Sequence, residues 1–118
     1  MAKITGIGGF MFRSQNPKEL KKWYIEVLGI DIQNMVWMQE AGPTVLEPFP
    51  SDSDYYDVKK GWMLNFRVDD LQGFIAALKD KGVEVIENEE WNSMPEVGTF
   101  VRVHDPEGNP IELWQPAS

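Results

Sequence analysis

The sequence consists of two halves that follow the same plan, and this repeat limits the possible folds more than any other feature. A Phe-Arg pair ends at Arg13 in the first half and at Arg67 in the second, and a helix-ending glycine stands at Gly29 and again at Gly82. In each half an extended segment precedes a helical pattern, and short strands follow it. The repeat predicts an α+β fold made of two tandem β-α-β-β-β modules.

Capping residues indicate where the two helices begin. In the first half Asn16 is a candidate N-cap followed by Pro17, and in the second half Asp69 or Asp70 has this role. The alternation of apolar residues and the turn signals predict the strands. In the first half these cover about residues 3–13, 30–34, 35–40 and 43–48, and in the second half 62–68, 83–87, 99–103 and 111–115.

The length of 118 residues fits a single domain. We divide residues 1–118 into module 1 (about 1–49), a connector (about 50–61) and module 2 (about 62–118). The connector is rich in Pro, Asp and Ser, which favour turns. Its two aromatic residues, Tyr55 and Tyr56, are expected to lie in a surface turn, although they could also form a lid.

The last strand follows a turn of Asp, Pro, Gly and Asn at residues 105–109, in which a Gly or Asn takes the left-handed conformation. Because side chains alternate along a strand, Ile111 and Leu113 share one face and Glu112 and Trp114 share the other. The helices can cover only one face of the sheet. The face of Glu112 must therefore be covered by something else or enclose a ligand.

Composition excludes several classes of function. The formal net charge is −8 and the basic residues are scattered, which argues against binding of nucleic acids. No apolar stretch is long enough to span a membrane or to act as a signal peptide. The absence of cysteine excludes disulfides and thiolate chemistry and is consistent with the cytoplasm, which is the location we expect.

Three segments in this order resemble the vicinal oxygen chelate superfamily: "NPKELKKWYIEVLGI", "MLNFRVDDLQGFIAALKDKGV" and "DPEGNPIELWQP". That superfamily includes glyoxalase I, extradiol dioxygenases, fosfomycin-resistance enzymes and bleomycin-resistance proteins. The resemblance covers nearly the whole chain. It implies that the paired modules form a cupped mixed sheet, the glyoxalase-like fold, usually within a homodimer.

The resemblance also implies where a metal would be bound. Metal-dependent members use His and Glu from four sheet positions, which fall here on Gly9, Glu47, Met63 and Glu112. Both carboxylates are kept and both imidazoles are lost. Glycine offers no ligand and the thioether of methionine is a poor one for most divalent ions, so we expect no metal cofactor. Two carboxylates could still hold a divalent cation weakly. The single histidine, His104, is expected to be a surface or hydrogen-bonding residue.

Aromatic and charged residues on the inward-facing positions define a candidate binding site. The predicted ligand-binding residues are Glu47, Glu112, Trp37, Met63, Phe100, Arg102 and Trp114. Aromatic walls with a few polar groups are typical of small-molecule pockets and also of dimer interfaces. Two other arrangements remain open: Arg13, Arg67 and Arg102 could pair with the carboxylates and fill the cup, or the carboxylates could face solvent. No catalytic residue is predicted.

The sequence thus supports three functional hypotheses. The leading one is a homodimeric protein that binds a small polar or partly cationic organic ligand in its cupped sheet without the usual metal. The alternative is a divalent-metal-dependent lyase, isomerase or dioxygenase that uses Glu47 and Glu112. The third is a structural or regulatory dimer whose cup is filled by its own side chains.

Overall fold

The sheet of the structure is built from the second half of the chain. A computed structural model describes residues 2–118. Its elements are α1 (Pro17–Glu26), β1 (Leu64–Arg67), α2 (Leu71–Asp80), a 3₁₀ helix (Glu89–Asn92), β2 (Gly98–His104) and β3 (Pro110–Pro116). The strand order is β1-β3-β2, with β3 parallel to β1 and antiparallel to β2. The protein is therefore a small α+β fold with an open mixed sheet.

Both predicted helices are confirmed, together with their caps. The side-chain oxygen of Asn16 accepts a hydrogen bond from the Glu19 amide at 3.3 Å, and Asp70 accepts one from the Gly73 amide at 3.1 Å. These bonds satisfy amides that have no partner within the helix. The glycine after α2, Gly82, has a φ of 80°, as a left-handed helix end requires.

The core lies between one face of the sheet and the two helices. Ile111 and Leu113 of β3 are fully buried there, as predicted, and Val101 and Val103 of β2 lie beside them in register. The helices contribute Leu20, Tyr24, Leu28, Leu71, Ile75 and Leu78 to the same cluster. Within residues 2–118 no helix has the length and apolar character needed to cross a membrane.

The first half has a helix but no regular strand among the described residues 2–49. The predicted strands at 3–13, 30–34, 35–40 and 43–48 are not formed in this single chain, where one isolated bridge joins Gln33 and Val36. The predicted strand at 83–87 is reduced to a bridge between Ile86 and Arg102. A strand needs a neighbour for its backbone hydrogen bonds, and the first-half segments have no strand beside them here. The tandem β-α-β-β-β arrangement and the division into modules stay predictions.

The turn before β3 is held by the buried carboxylate of Asp105. One oxygen accepts hydrogen bonds from the amides of Glu107 (2.8 Å) and Asn109 (3.0 Å). The other accepts from the Asn109 side chain (2.7 Å) and from the Tyr24 hydroxyl of α1 (2.7 Å). Gly108 takes the left-handed conformation, with a φ of 81°. Asp105 thus joins the turn to the first helix.

We expect the contribution of Tyr24 to stability to fall at alkaline pH. Burial raises the pKa of the Tyr24 phenol, and the hydrogen bond to Asp105 raises this pKa further. The folded protein therefore keeps a proton that the unfolded chain releases above about pH 10. The stability gained from Tyr24 is fully present below that pH and is lost as the pH rises toward the folded-state pKa.

Urea unfolding of the wild type and of Tyr24→Phe, at several values between about pH 8 and about pH 11, checks this expectation. The excess stability of the wild type over the variant should shrink with increasing pH. A constant difference over the whole range would contradict it.

Candidate functional site

Three polar residues lie side by side across the sheet, on the face that points away from the helices. Asn65 of β1 and Arg102 of β2 are both in register with Glu112 of β3, so their side chains project on the same side. The two charged members of this polar row are buried: Glu112 is 6% exposed and Arg102 is 5% exposed. Buried charges need compensation, so their contacts define what the row can bind.

Both oxygens of Glu112 are engaged in hydrogen bonds. The Tyr55 hydroxyl donates a short hydrogen bond to Oε2, and the Asn65 side-chain amide donates to Oε1 at 2.6 Å. Burial raises the pKa of the Tyr55 phenol, and the hydrogen bond to Glu112 adds to this increase. Tyr55 therefore remains a protonated donor over the physiological range of pH.

Arg102 is held by the same tyrosine from a second direction. Its Nη2 donates to the backbone carbonyl of Tyr55 at 3.2 Å. Its guanidinium carbon lies 5.1 Å from the ring centroid of Tyr55 and 4.7 Å from that of Trp91, as in cation–π contacts. Nε of Arg102 is buried and has no hydrogen-bond partner. Within residues 2–118 no ion pair joins Arg102 to Glu112, although they are neighbours in the sheet.

An aromatic pair occupies the next row on the same face. Phe100 and Trp114 stack with their centroids 6.0 Å apart and their planes 3° from parallel. The indole nitrogen of Trp114 donates to the Val97 carbonyl at 3.0 Å, which fixes the ring. Arg67 of β1 is also in register with Trp114, and its guanidinium donates a hydrogen bond to the Glu40 carbonyl at 2.8 Å. Phe100 and Trp114 therefore form an apolar surface beside the polar row.

The remaining predicted site residues lie elsewhere in the single chain. Glu47 is exposed and lines a shallow depression of about 340 Å³ together with Met63, Tyr56 and Trp62. Trp37 lies against Phe66, with 6.0 Å between ring centroids, at the side of the sheet that faces the helices. The structure thus brings Glu112 and Arg102 together, places Phe100 and Trp114 next to them, and groups Glu47 with Met63.

The expectation that Tyr55 lies in a surface turn is wrong, since this residue is half-buried and bonded to Glu112. The connector has no helix or strand over residues 50–61, so no periodic pattern could reveal the orientation of Tyr55. Asn65 was also not named as a site residue from the sequence, although the alternation of side chains along its strand indicates its direction. A polar residue alternating with Leu64 and Phe66 must project from the other face of β1, toward Glu112.

Three of the four metal positions offer no free carboxylate or imidazole ligand for a divalent ion. Glu112 already accepts hydrogen bonds at both oxygens, Gly9 has no side-chain donor and Met63 offers only a thioether. Among residues 2–118 no group of three or more His, Cys, Asp or Glu side chains could hold a metal. His104 is exposed at the end of β2 and does not join the polar row.

Comparisons with solved structures show related folds. TnmS3, an antibiotic binding protein from Streptomyces sp. CB03234, is 24% identical, with a TM-score of 0.65 over 99% of this chain and 100% of its own. A glyoxalase/bleomycin resistance protein from the same Streptomyces strain is 23% identical, with a TM-score of 0.53 over 86% of this chain and 92% of its own. A protein from the mobile metagenome of V. Pseudocholerae is 18% identical, with a TM-score of 0.65 over 100% and 99%.

None of the curated proteins matches the chain. The sequence model of the Glyoxalase/Bleomycin resistance protein/Dioxygenase superfamily, in contrast, matches residues 6–113, which include both helices and most of the sheet. This family agrees with the resemblance found in the sequence. The chain therefore belongs to the Glyoxalase/Bleomycin resistance protein/Dioxygenase superfamily.

Proposed function

We propose that this protein binds a small organic molecule, polar or partly cationic, on the sheet face that carries Glu112 and Arg102, and that it does so without the metal used by many relatives. One observation carries the proposal. Two buried, oppositely charged side chains are both contacted by Tyr55 of the irregular connector, while Trp91 of the 3₁₀ helix adds a second contact to Arg102. The Tyr55 part of this cover can be displaced without breaking secondary structure, because the connector has no helix or strand.

The cost of burying these charges supports a binding role. A buried carboxylate and a buried guanidinium are expensive unless they are paired or hydrogen-bonded, and here no direct ion pair offsets the cost. The two groups are instead compensated by hydrogen bonds and by the rings of Tyr55 and Trp91, and only Nε of Arg102 lacks a partner. Buried polar groups beside an aromatic wall are typical of ligand sites. Glu112 would accept a donor of the ligand, Arg102 would donate to it, and Phe100 and Trp114 would contact its apolar part.

The fold neighbours give independent support for a small-molecule ligand. TnmS3, which has the same architecture over nearly the full length of both chains, is described as an antibiotic binding protein. We propose the same broad class of ligand, a small organic compound, for this chain. Since no cysteine requires an oxidising compartment, we further propose that binding takes place in the cytoplasm.

The part of the site that comes from the first half of the chain would be completed in a homodimer. Its predicted strands carry strongly exposed apolar side chains, including Ile4 (93%), Met11 (87%), Met38 (86%) and Leu46 (84%). Exposed apolar residues at this density are typical of an interface. Pairing of these segments would give them strand partners, and it would place Glu47 and Met63 along the wall of the cup. Trp37 would join them by leaving its contact with Phe66.

We expect light scattering after size-exclusion chromatography to give twice the mass of one chain at micromolar concentration. Met38→Asp combined with Leu46→Asp should shift the protein to the monomer, because two charges would have to be buried in the interface. Glu84→Gln, on an exposed residue of the second half, is the control and should leave the dimer intact. A monomeric wild type would contradict the dimer.

Glu112→Gln should weaken ligand binding by about tenfold to a hundredfold, because a hydrogen bond to a charged group becomes one to a neutral group. Calorimetric titration with metal-free bleomycin, a cationic organic probe, measures this change. Binding to the wild type should persist in EDTA, and Glu84→Gln, which removes the same charge from an exposed position, should leave the affinity unchanged.

Two results would contradict the proposed function. The first is an affinity for organic probes that is the same in the wild type and in Glu112→Gln. The second is a stoichiometric transition metal that copurifies with the wild type and is lost from this variant, since such a metal would favour the lyase, isomerase or dioxygenase hypothesis.

A further inference from the structure

We infer that Tyr55 occupies the place of the ligand, and that the ligand is an uncharged planar aromatic molecule with a hydroxyl group at one edge and a carbonyl oxygen at another. This inference rests on the proposed function and narrows it. The polar row of Asn65, Glu112 and Arg102 is already filled by one residue of the connector, and the contacts of that residue describe the chemistry the row recognises.

Tyr55 makes three different kinds of contact with the row. Its hydroxyl donates to Glu112, its carbonyl oxygen accepts from Nη2 of Arg102 at 3.2 Å, and its ring lies under the guanidinium at 5.1 Å. The site thus holds an aromatic ring, a hydroxyl donor and a carbonyl acceptor at the same time. A molecule that combines these three features can replace every contact made by Tyr55.

The charges of the row favour an uncharged molecule. Glu112 and Arg102 are neighbours in the sheet and together carry no net charge. A cation attracted by the carboxylate would lie beside the guanidinium, and an anion attracted by the guanidinium would lie beside the carboxylate. Both arrangements are costly where water is excluded. A neutral molecule with one donor and one acceptor satisfies both groups without this repulsion.

A free polar atom of the row gives the ligand an advantage over Tyr55. Nε of Arg102 is buried without a partner, although Nη2 of the same guanidinium is bonded to the Tyr55 carbonyl. An unsatisfied buried donor raises the free energy of the state in which Tyr55 covers the polar row. A carbonyl oxygen placed to accept from both nitrogens would satisfy the guanidinium fully. The ligand can therefore displace Tyr55 although it repeats the same interactions.

Tyr55 is also able to leave. Residues 50–61 form turns and bends, so its departure breaks no helix or strand. Beyond the row, its ring contacts Phe49 and Trp91, with centroid distances of 5.5 Å and 6.1 Å. If Tyr55 covers the row in about nine-tenths of the molecules, the apparent affinity for a ligand is reduced about tenfold, and removal of the side chain restores it.

The experiment compares three probes on the 118-residue chain in weakly acidic buffer. 7-Hydroxycoumarin is planar and carries a hydroxyl group and a carbonyl oxygen at opposite edges, coumarin lacks the hydroxyl group, and benzyltrimethylammonium is a cation. The wild type should bind 7-hydroxycoumarin about tenfold more tightly than either of the others. Tyr55→Ala should bind it about tenfold more tightly than the wild type, and Tyr55→Phe should lie between the two.

Tyr24→Phe is the matched control, because it removes a buried tyrosine hydroxyl on the helix side of the sheet. It should leave the affinity for all three probes unchanged. Circular dichroism verifies that each variant folds, and Tyr55→Phe, which removes a single atom, keeps the test decisive if Tyr55→Ala unfolds. Equal affinities of the wild type and Tyr55→Phe for 7-hydroxycoumarin would overturn the inference, as would a preference for the cation.

The same titrations separate this inference from the proposed function. Binding of bleomycin that depends on Glu112, together with indifference to the hydroxyl group and to Tyr55, would leave the proposed function standing and overturn the role of Tyr55. A protein that binds neither bleomycin nor any of the three probes, in the wild type and in Tyr55→Ala alike, would overturn both.

Discussion

Asp105→Ala is expected to lower the free energy of unfolding by about 3–5 kcal/mol, the range found when a buried charged group loses its hydrogen-bonded partners. The carboxylate of Asp105 is 4% exposed and accepts from two amides of its own turn, from the Asn109 side chain and from the Tyr24 hydroxyl. Alanine leaves all four donors without an acceptor. Asn109 and Tyr24 are themselves buried, so water cannot readily replace the lost oxygen atoms.

Urea unfolding followed by circular dichroism measures this loss. Asp105→Asn is the informative companion variant, because it keeps one acceptor oxygen and should lose about half as much stability. A loss below about 1 kcal/mol for Asp105→Ala would show that the turn is held mainly by its backbone, with Gly108 in the left-handed conformation. That result would contradict the role assigned to Asp105 in joining the turn to α1.

The elements that could be predicted from the sequence are those specified by local chemistry. Asn16 and Asp70 carry the capping groups of the two helices, and the glycine at the end of each helix has a positive φ. The strand of Glu112 forms as predicted, with Ile111 and Leu113 facing the helices, although Glu112 and Trp114 on its other face are buried as well. These features depend on residues that are close in the chain, so a single sequence contains the needed information.

The part that could not be predicted depends on contacts distant in the chain. Glu112 meets Tyr55 from a connector without regular structure, and neither hydrophobic periodicity nor turn chemistry specifies such a pairing. The first-half strands are predicted from alternating apolar residues, but a strand also needs a partner that the sequence does not name. The resemblance assigns Glu47 and Glu112 to corresponding metal positions in the two halves. In the single chain they differ, because Glu47 is exposed and Glu112 is buried.

Gly98→Ala is expected to destabilise the protein by about 3 kcal/mol and to disturb the aromatic pair beside the polar row. Gly98 begins β2 with a φ of 126°, a conformation that residues with a Cβ rarely adopt. A Cβ at this position would overlap the Gln115 carbonyl and lie 2.9 Å from the indole nitrogen of Trp114. The backbone of β3 cannot move away without breaking the β2–β3 pairing, so the strain cannot be relieved locally.

The displaced indole connects this substitution to function. The Trp114 nitrogen donates to the Val97 carbonyl, the residue directly before Gly98, and the ring stacks on Phe100. Gly98→Ala should therefore change the tryptophan fluorescence of the folded protein and weaken the binding of organic probes, in addition to lowering the urea midpoint. Gly61→Ala, at a connector glycine with open space around its Cβ position, should change the stability by less than about 0.5 kcal/mol. Equal stabilities of the two variants would show that β2 tolerates a side chain at this point, and the aromatic wall would then not depend on the close approach of the two strands.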